Sequence, residues 1–170
     1  MENSYQYQTP MGAVTLSGNG SALTGLWFTD RPHTDSKLFR PIADYVVDPV
    51  LREAVLWLDA YWQKRRPSPT ALPIVLEGSD FQKKVWQLLL QIPYGSCVSY
   101  GELRQEYCAA SGATAMSAQA IGGAVARNPV SIIVPCHRVI GSNGSMTGYS
   151  GGIQRKIALL SHEGFPIPCA

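Results

Sequence analysis

The chain has 170 residues, of which 45% are hydrophobic, and its formal net charge is +2. That length suits one large domain or two small ones, and the composition is ordinary for a globular core. So small a charge excludes a basic footprint spread over the whole surface, and any nucleic-acid-binding patch must be local.

Residues 1–6 carry neither a basic flank nor an apolar core, so a signal peptide is not expected. No apolar run approaches the roughly 20 residues that span a bilayer. Cys97, Cys108, Cys136 and Cys169 are widely spaced and form neither a CxxC pair nor a zinc-finger pattern. Reduced thiols in a cytoplasmic protein are expected, with no membrane association and no metal.

In the N-terminal part, residues 5–9 and 13–17 read as short strands around the turn Pro10-Met11-Gly12, and Leu23–Phe28 reads as a third. A helix is predicted over residues 48–63. Asp48 stands at its N-cap and Pro49 at its first position. Val50, Ala54, Trp57, Leu58 and Tyr61 give it one apolar face. Lys64-Arg65-Arg66 is placed in its last turn, where cations offset the dipole, and Pro67-Ser68-Pro69 opens a linker.

The C-terminal part is more strongly patterned. Ser79-Asp80-Phe81-Gln82 is a capping box opening a helix with Phe81, Val85, Leu88 and Leu89 on one side. Ser99-Tyr100-Gly101-Glu102 is a second capping box, with a helix from about Tyr100 to about Cys108. Small residues over 109–115 lead to a third helix over about 117–126. Two short helices joined by a small-residue turn fit a helix-turn-helix. Gly122 and Gly123 each cost about 1 kcal/mol inside a helix. Close approach to another surface, a neighbouring helix or a nucleic-acid groove, would explain the pair. A last helix is read with Ile153, Ile157 and Leu160 on one face.

The chemistry concentrates at Pro135-Cys136-His137-Arg138-Val139, behind the apolar run Ser131-Ile132-Ile133-Val134 and ahead of the glycine-rich residues 141–152. A thiol of pKa about 8.5 is mostly protonated at neutral pH, and the thiolate is the nucleophile. An imidazole able to take the proton makes such a cysteine usable. Neighbouring side chains on a strand point to opposite faces, so contact between Cys136 and His137 would need a bend or a bridging water. A single cysteine after an apolar run is also the pattern of an inert core residue. The pentapeptide alone leaves both readings open.

Taken in order, Ile92-Pro93-Tyr94-Gly95, Ser99-Tyr100, Gly122-Gly123-Ala124, Asn128-Pro129-Val130, the Cys136 pentapeptide with Ile140, Gly148-Tyr149-Ser150-Gly151-Gly152 and His162-Glu163-Gly164 resemble the O6-alkylguanine-DNA alkyltransferase family. The resemblance runs from about Ser79 to Gly164 and implies an α+β fold. A small mixed N-terminal support domain (residues 1–75) would precede a mainly helical domain (residues 76–170) holding the helix-turn-helix and the cysteine. It implies single-turnover transfer of an alkyl group from O6-alkylguanine, and from O4-alkylthymine, to Cys136. No cofactor is implied and no obligate protein partner. The partner would be double-stranded DNA carrying the lesion, met in the nucleoid, or in the nucleus of a eukaryote.

The resemblance also assigns roles. Cys136 would attack, His137 would take its proton through a water, and Glu163 would orient His137 in a triad-like relay. Tyr100 would contact an extruded base and its phosphate. Tyr149 and Ser150 would bind the guanine oxygen from a glycine-flanked loop. Val139 and the Cys136 carbonyl would meet the other base edge, and Asn128 would tie the recognition helix to the active-site strand. Lys156 matches a basic position of the family but is read as a solvated helix lysine, and Arg138 is read as a structural ion-pair partner. One departure stands out. The family usually carries an arginine three residues before the Gly-Gly pair, and Gln119 occupies that place here. Arg127 lies eight residues further on, about 12 Å along a helix and about 80° round its axis, too far to substitute.

Other classes make different demands. A lesion-binding sensor with little or no transfer activity replaces the nucleophile in relatives of this fold, which Cys136 argues against. A cysteine hydrolase would need an oxyanion hole that nothing here specifies. A helix-turn-helix regulator would leave the Cys-His segment without a purpose.

Overall fold

Polar-apolar alternation builds the first sheet. The structure is a computed structural model that describes residues 1–33 and 37–167, so Cys169 lies outside the described residues. Strands β1 (Glu2–Thr9) and β2 (Gly12–Gly18) form an antiparallel hairpin, with Tyr5 opposite Leu16 and Tyr7 opposite Val14. Strand β3 (Leu23–Phe28) pairs antiparallel with β2. A three-residue strand β4 (Phe39–Pro41), absent from the sequence reading, joins parallel to β1 and gives the order β3-β2-β1-β4. It is too short to show alternation, and its proline is tolerated on an edge.

Helix α1 (Pro49–Trp62) covers this sheet with Leu51, Ala54, Leu58 and Tyr61 buried. The Asp48 side chain accepts from the amides of Val50 and Leu51 at 3.0 and 3.2 Å. The basic triplet corrects the sequence reading, because it lies beyond the helix. Lys64 has φ 60°, and the Lys64 and Arg65 amides donate back to the carbonyls of Tyr61 and Ala60. This is a Schellman-type stop with a lysine in the left-handed position. Backbone amides satisfy these carbonyls of the last turn.

The chain forms two compact units, residues 1–77 with 129–131, and residues 78–128 with 132–170. In the first unit the detached segment Pro129–Ser131 lies beside β3, where Leu26 exchanges backbone hydrogen bonds with Pro129 and Ser131. In the second, α2 (Asp80–Leu89), α3 (Tyr100–Ser111) and α4 (Ala118–Ala126) pack on one another. Both predicted capping boxes form, at Ser79–Gln82 and Ser99–Glu102, and Ser117 caps α4. Trp86, outside the predicted α2 face, is 1% exposed and donates its indole N–H to the Ala124 carbonyl at 2.8 Å, tying α2 to α4. Helix α3 runs about a turn past Cys108, until Gly112 closes it at φ 73°.

Two further elements position the cysteine. Strands β5 (Val98–Ser99) and β6 (Val139–Ile140) form a parallel pair, and helix α5 (Ile153–His162) packs on the segment Cys136–Arg138. That segment is a single 3-10 turn. The expected active-site strand is therefore corrected, because Pro135 precedes the cysteine and the chain bends there. The α5 face is corrected too. Lys156, Leu159 and Leu160 are buried, and Ile153 is 49% exposed. Among the described residues no helix is long and apolar enough to cross a membrane.

Candidate active site

The segment Cys136–Arg138 is a 3-10 turn, so the strand alternation that would set the adjacent cysteine and histidine on opposite faces does not apply. Cys136 and His137 are both buried on this turn, 3% and 0% exposed respectively. Helix α5 delivers Glu163 to the same place from its C-cap. Oε1 of Glu163 lies 2.7 Å from His137 Nε2. Arg138 donates to both carboxylate oxygens, Nε to Oε2 at 2.8 Å and Nη2 to Oε1 at 2.9 Å, and sends Nη1 to the Ile92 carbonyl at 2.7 Å. Arg138 is thus the ion-pair partner expected of it.

This network fixes the imidazole's protonation. Burial raises the Glu163 carboxyl, but the hydrogen bonds and charges of His137 and Arg138 outweigh it and hold the group below the usual carboxylate range. An ionised carboxylate has only lone pairs to offer, so His137 Nε2 carries the proton and donates. Nδ1 is then left with the lone pair, and it is buried with no hydrogen-bond partner among the described residues. Burial also pushes the His137 pKa down, against the pull of Glu163, so the ring is neutral near pH 7. A neutral imidazole with a free Nδ1 lone pair is a proton acceptor.

The thiol is tuned in opposite directions. Burial pushes the Cys136 pKa up, while a hydrogen bond from Asn128 and the charge of Lys156 pull it down. Asn128 also donates to the Val134 carbonyl at 2.8 Å, so it braces the segment leading to the cysteine. The sequence reading missed Lys156. It is 0% exposed, and its ammonium donates to the Val139 carbonyl and, at 2.7 Å, to the Thr147 carbonyl. It lies 5.8 Å from the Tyr100 ring centroid. Burial pushes its pKa down to about 8, against the thiols of Cys136 and Cys97. The available signal was the spacing Lys156, Leu159, Leu160, Glu163, one helical face with a charge at each end.

The remaining predicted residues fall on two levels. Tyr149 is buried with its ring edge-on to His137 at 6.5 Å, and Val139 is fully buried with its amide on the Cys136 carbonyl. Tyr100, at the start of α3, donates its hydroxyl to the carbonyls of Thr147 and Gly148 at 3.3 and 3.2 Å. Ser150 and Gln119 are exposed. Gln119 borders a groove of about 640 Å³ together with Tyr100, Ala118, Gly122 and Gly148. The glycine pair of α4 faces open space. A Cβ at Gly123 would meet nothing within 4 Å, and one at Gly122 only the Tyr100 ring at 4.0 Å. Packing within the chain therefore does not account for these glycines.

Comparison with known proteins places this arrangement. Residues 80–165 match the family model described as 6-O-methylguanine DNA methyltransferase, DNA binding domain. A methylated-DNA–protein-cysteine methyltransferase of Mycobacterium leprae is 43% identical over 155 residues, covering 91% of this chain and 88% of the relative. One from Methanosarcina acetivorans is 37% identical, covering 93% of this chain and 96% of the relative. The crystal structure of Mycobacterium tuberculosis OGT in complex with DNA is similar with a TM-score of 0.81 at 40% identity, covering 95% of this chain and 92% of that one. The family match spans the buried Cys136–His137–Glu163 network, and the similarity to the relatives extends through the N-terminal unit as well. The chain belongs to the 6-O-methylguanine DNA methyltransferase family.

Proposed function

We propose that this protein repairs DNA by moving an alkyl group, once per molecule, from O6 of guanine to Sγ of Cys136. O4-alkylthymine is the second substrate, and the lesion is met in duplex DNA in the cytoplasm or nucleoid. One observation carries the reading. The residue after the cysteine is a neutral imidazole with Glu163 on one nitrogen, and its other, proton-accepting nitrogen is buried with no partner among the described residues.

The step balances without a cofactor. The thiol proton passes through a water to His137 Nδ1. The thiolate attacks the alkyl carbon in line, the S–C bond forms, and the C–O6 bond breaks. The electron pair stays on the guanine, which leaves after taking a proton. Burial of the site favours the reaction's direction, because the charged thiolate becomes a neutral thioether where charge is costly. Nothing in the network cleaves a thioether, so the protein is consumed.

The other residues place the base. Tyr100 meets the extruded guanine, and its hydroxyl exchanges the carbonyls of Thr147 and Gly148 for the nucleic acid. Tyr149 packs beside His137 while the Ser150 segment binds the guanine oxygen. Val139 and the Cys136 carbonyl form the opposite wall, and Asn128 holds the thiol. Gln119, on the first turn of α4, enters the space vacated in the stack. Residues 76–170 do this work and residues 1–75 support them.

Mass mapping after incubation with O6-methylguanine duplex tests the reading. One added methyl group is expected on Cys136 and none on Cys97, Cys108 or Cys169. Sustained turnover of excess lesion would overturn single use, and tight binding with no mass gain would make the protein a lesion sensor.

A further inference from the structure

The groove beside Tyr100 is walled by small or uncharged residues apart from one. Its lining holds the first residues of two helices, Tyr100 and Gly101 of α3 and Ala118 and Gln119 of α4. Helix starts carry partial positive charge. Arg104, one turn beyond Tyr100 on the same face of α3, is the single charged side chain of that lining. It is exposed, and it makes no hydrogen bond or ion pair with any described residue. Of the two acids of α3, Glu102 accepts from the Ser99 amide at 2.7 Å in the capping box, and Glu106, two residues past Arg104, lines a different hollow with Leu88 and Ile92. In the same lining, Ala118, Gly122 and Ala126 of α4 offer no side chain longer than a methyl. A polyanion can therefore approach both helices closely, and one unspent guanidinium waits at its edge.

We propose that Arg104 binds a backbone phosphate of the DNA strand lying in this groove, and so sets much of the chain's affinity for duplex. The inference rests on the proposed function and adds a binding residue to it. With a net charge of only +2, phosphate contacts are few and each one counts. A guanidinium fork matches phosphate geometry with two parallel hydrogen bonds, whereas an ammonium keeps the charge alone.

The test measures binding of wild type, Arg104→Gln and Arg104→Lys to undamaged duplex across a salt series. Each phosphate contact adds about −0.9 to the slope of log K against log salt. Arg104→Gln should make the slope shallower by about 0.9, equally for unrelated sequences, and lower the ratio of duplex to free-base transfer rates. Arg104→Lys should keep the slope. As a comparison, Arg52→Gln, at an exposed position of helix α1, should leave the slope alone. An unchanged slope in Arg104→Gln, or equal losses of slope in the glutamine and lysine variants, would overturn the proposal. Failure of wild type to acquire an alkyl group on Cys136 would instead sink the repair reading, and the salt slopes are read independently of it.

Discussion

His137 Nε2 lies 2.7 Å from Glu163 Oε1, with both side chains sealed from solvent. The bond joins residues far apart in sequence and determines which imidazole nitrogen can accept a proton. Arg138 grips the same carboxylate, so one acid serves both orientation and charge balance.

Glu163→Gln should therefore act twice. It leaves Arg138 as a buried, poorly compensated cation, and breaking such a pair costs about 3–5 kcal/mol. It also removes the charge that fixes the His137 tautomer, so transfer should slow by about a hundredfold or more. Affinity for undamaged duplex should change far less. Thermal melts, single-turnover rates and DNA binding measured on the same preparation decide this. Equal proportional losses of rate and affinity would make Glu163 purely structural.

Lys156 gives a pH signature. Its folded pKa of about 8 lies below the usual lysine value. Between the two values the unfolded chain binds more protons, so this group makes stability rise with pH across about 8 to 10.4. Lys156→Met should flatten that rise, and the wild-type-minus-variant difference in urea midpoints at several pH values isolates it. The Cys97 thiol, pushed up to about 11 by burial and by Glu163 and eased by Lys156, works in the opposite sense above its ordinary value and more so in the variant, so the difference is read below that value. A parallel pH dependence in wild type and variant would mean that Lys156 is not desolvated.

Gly148 and Gly144 provide a matched pair. Both have positive φ, 75° and 80°, but a Cβ at 148 would lie 2.8 Å from the Tyr100 hydroxyl, whereas one at 144 would meet nothing within 4 Å. Alanine at either position pays backbone strain of about 1–3 kcal/mol. Only Gly148→Ala should also displace Tyr100 and slow alkyl transfer from DNA. Similar transfer rates for the two variants would remove Tyr100 from base placement.

Gln119→Arg should tighten binding to lesion duplex and speed repair there more than it speeds reaction with a free alkylated base. An added cation can compensate extrusion, a step the free base does not need. A tenfold gain corresponds to about 1.4 kcal/mol. Rates for both substrates, compared as a ratio, settle it, and an unchanged ratio would place Gln119 outside the stack.

Features with local causes could be read from the order of the residues. Asp48, Ser79, Ser99 and Ser117 start their helices because a side-chain oxygen satisfies an amide two or three residues on. The Cys136–His137 pair and the Glu163 motif were legible through the family resemblance, because the motifs that carry it stand in order along the chain. Tertiary structure decided the rest. The short parallel pairings of β4 with β1 and of β5 with β6 depend on partners distant in the chain, and three or two residues carry no period to read. Lys156 looked like a solvated helix lysine until the carbonyls of Val139 and Thr147 came to meet it. Likewise the pentapeptide did not reveal that a 3-10 turn would bury both Cys136 and His137. A charge is buried only where distant groups satisfy it, and those groups are assembled by the fold.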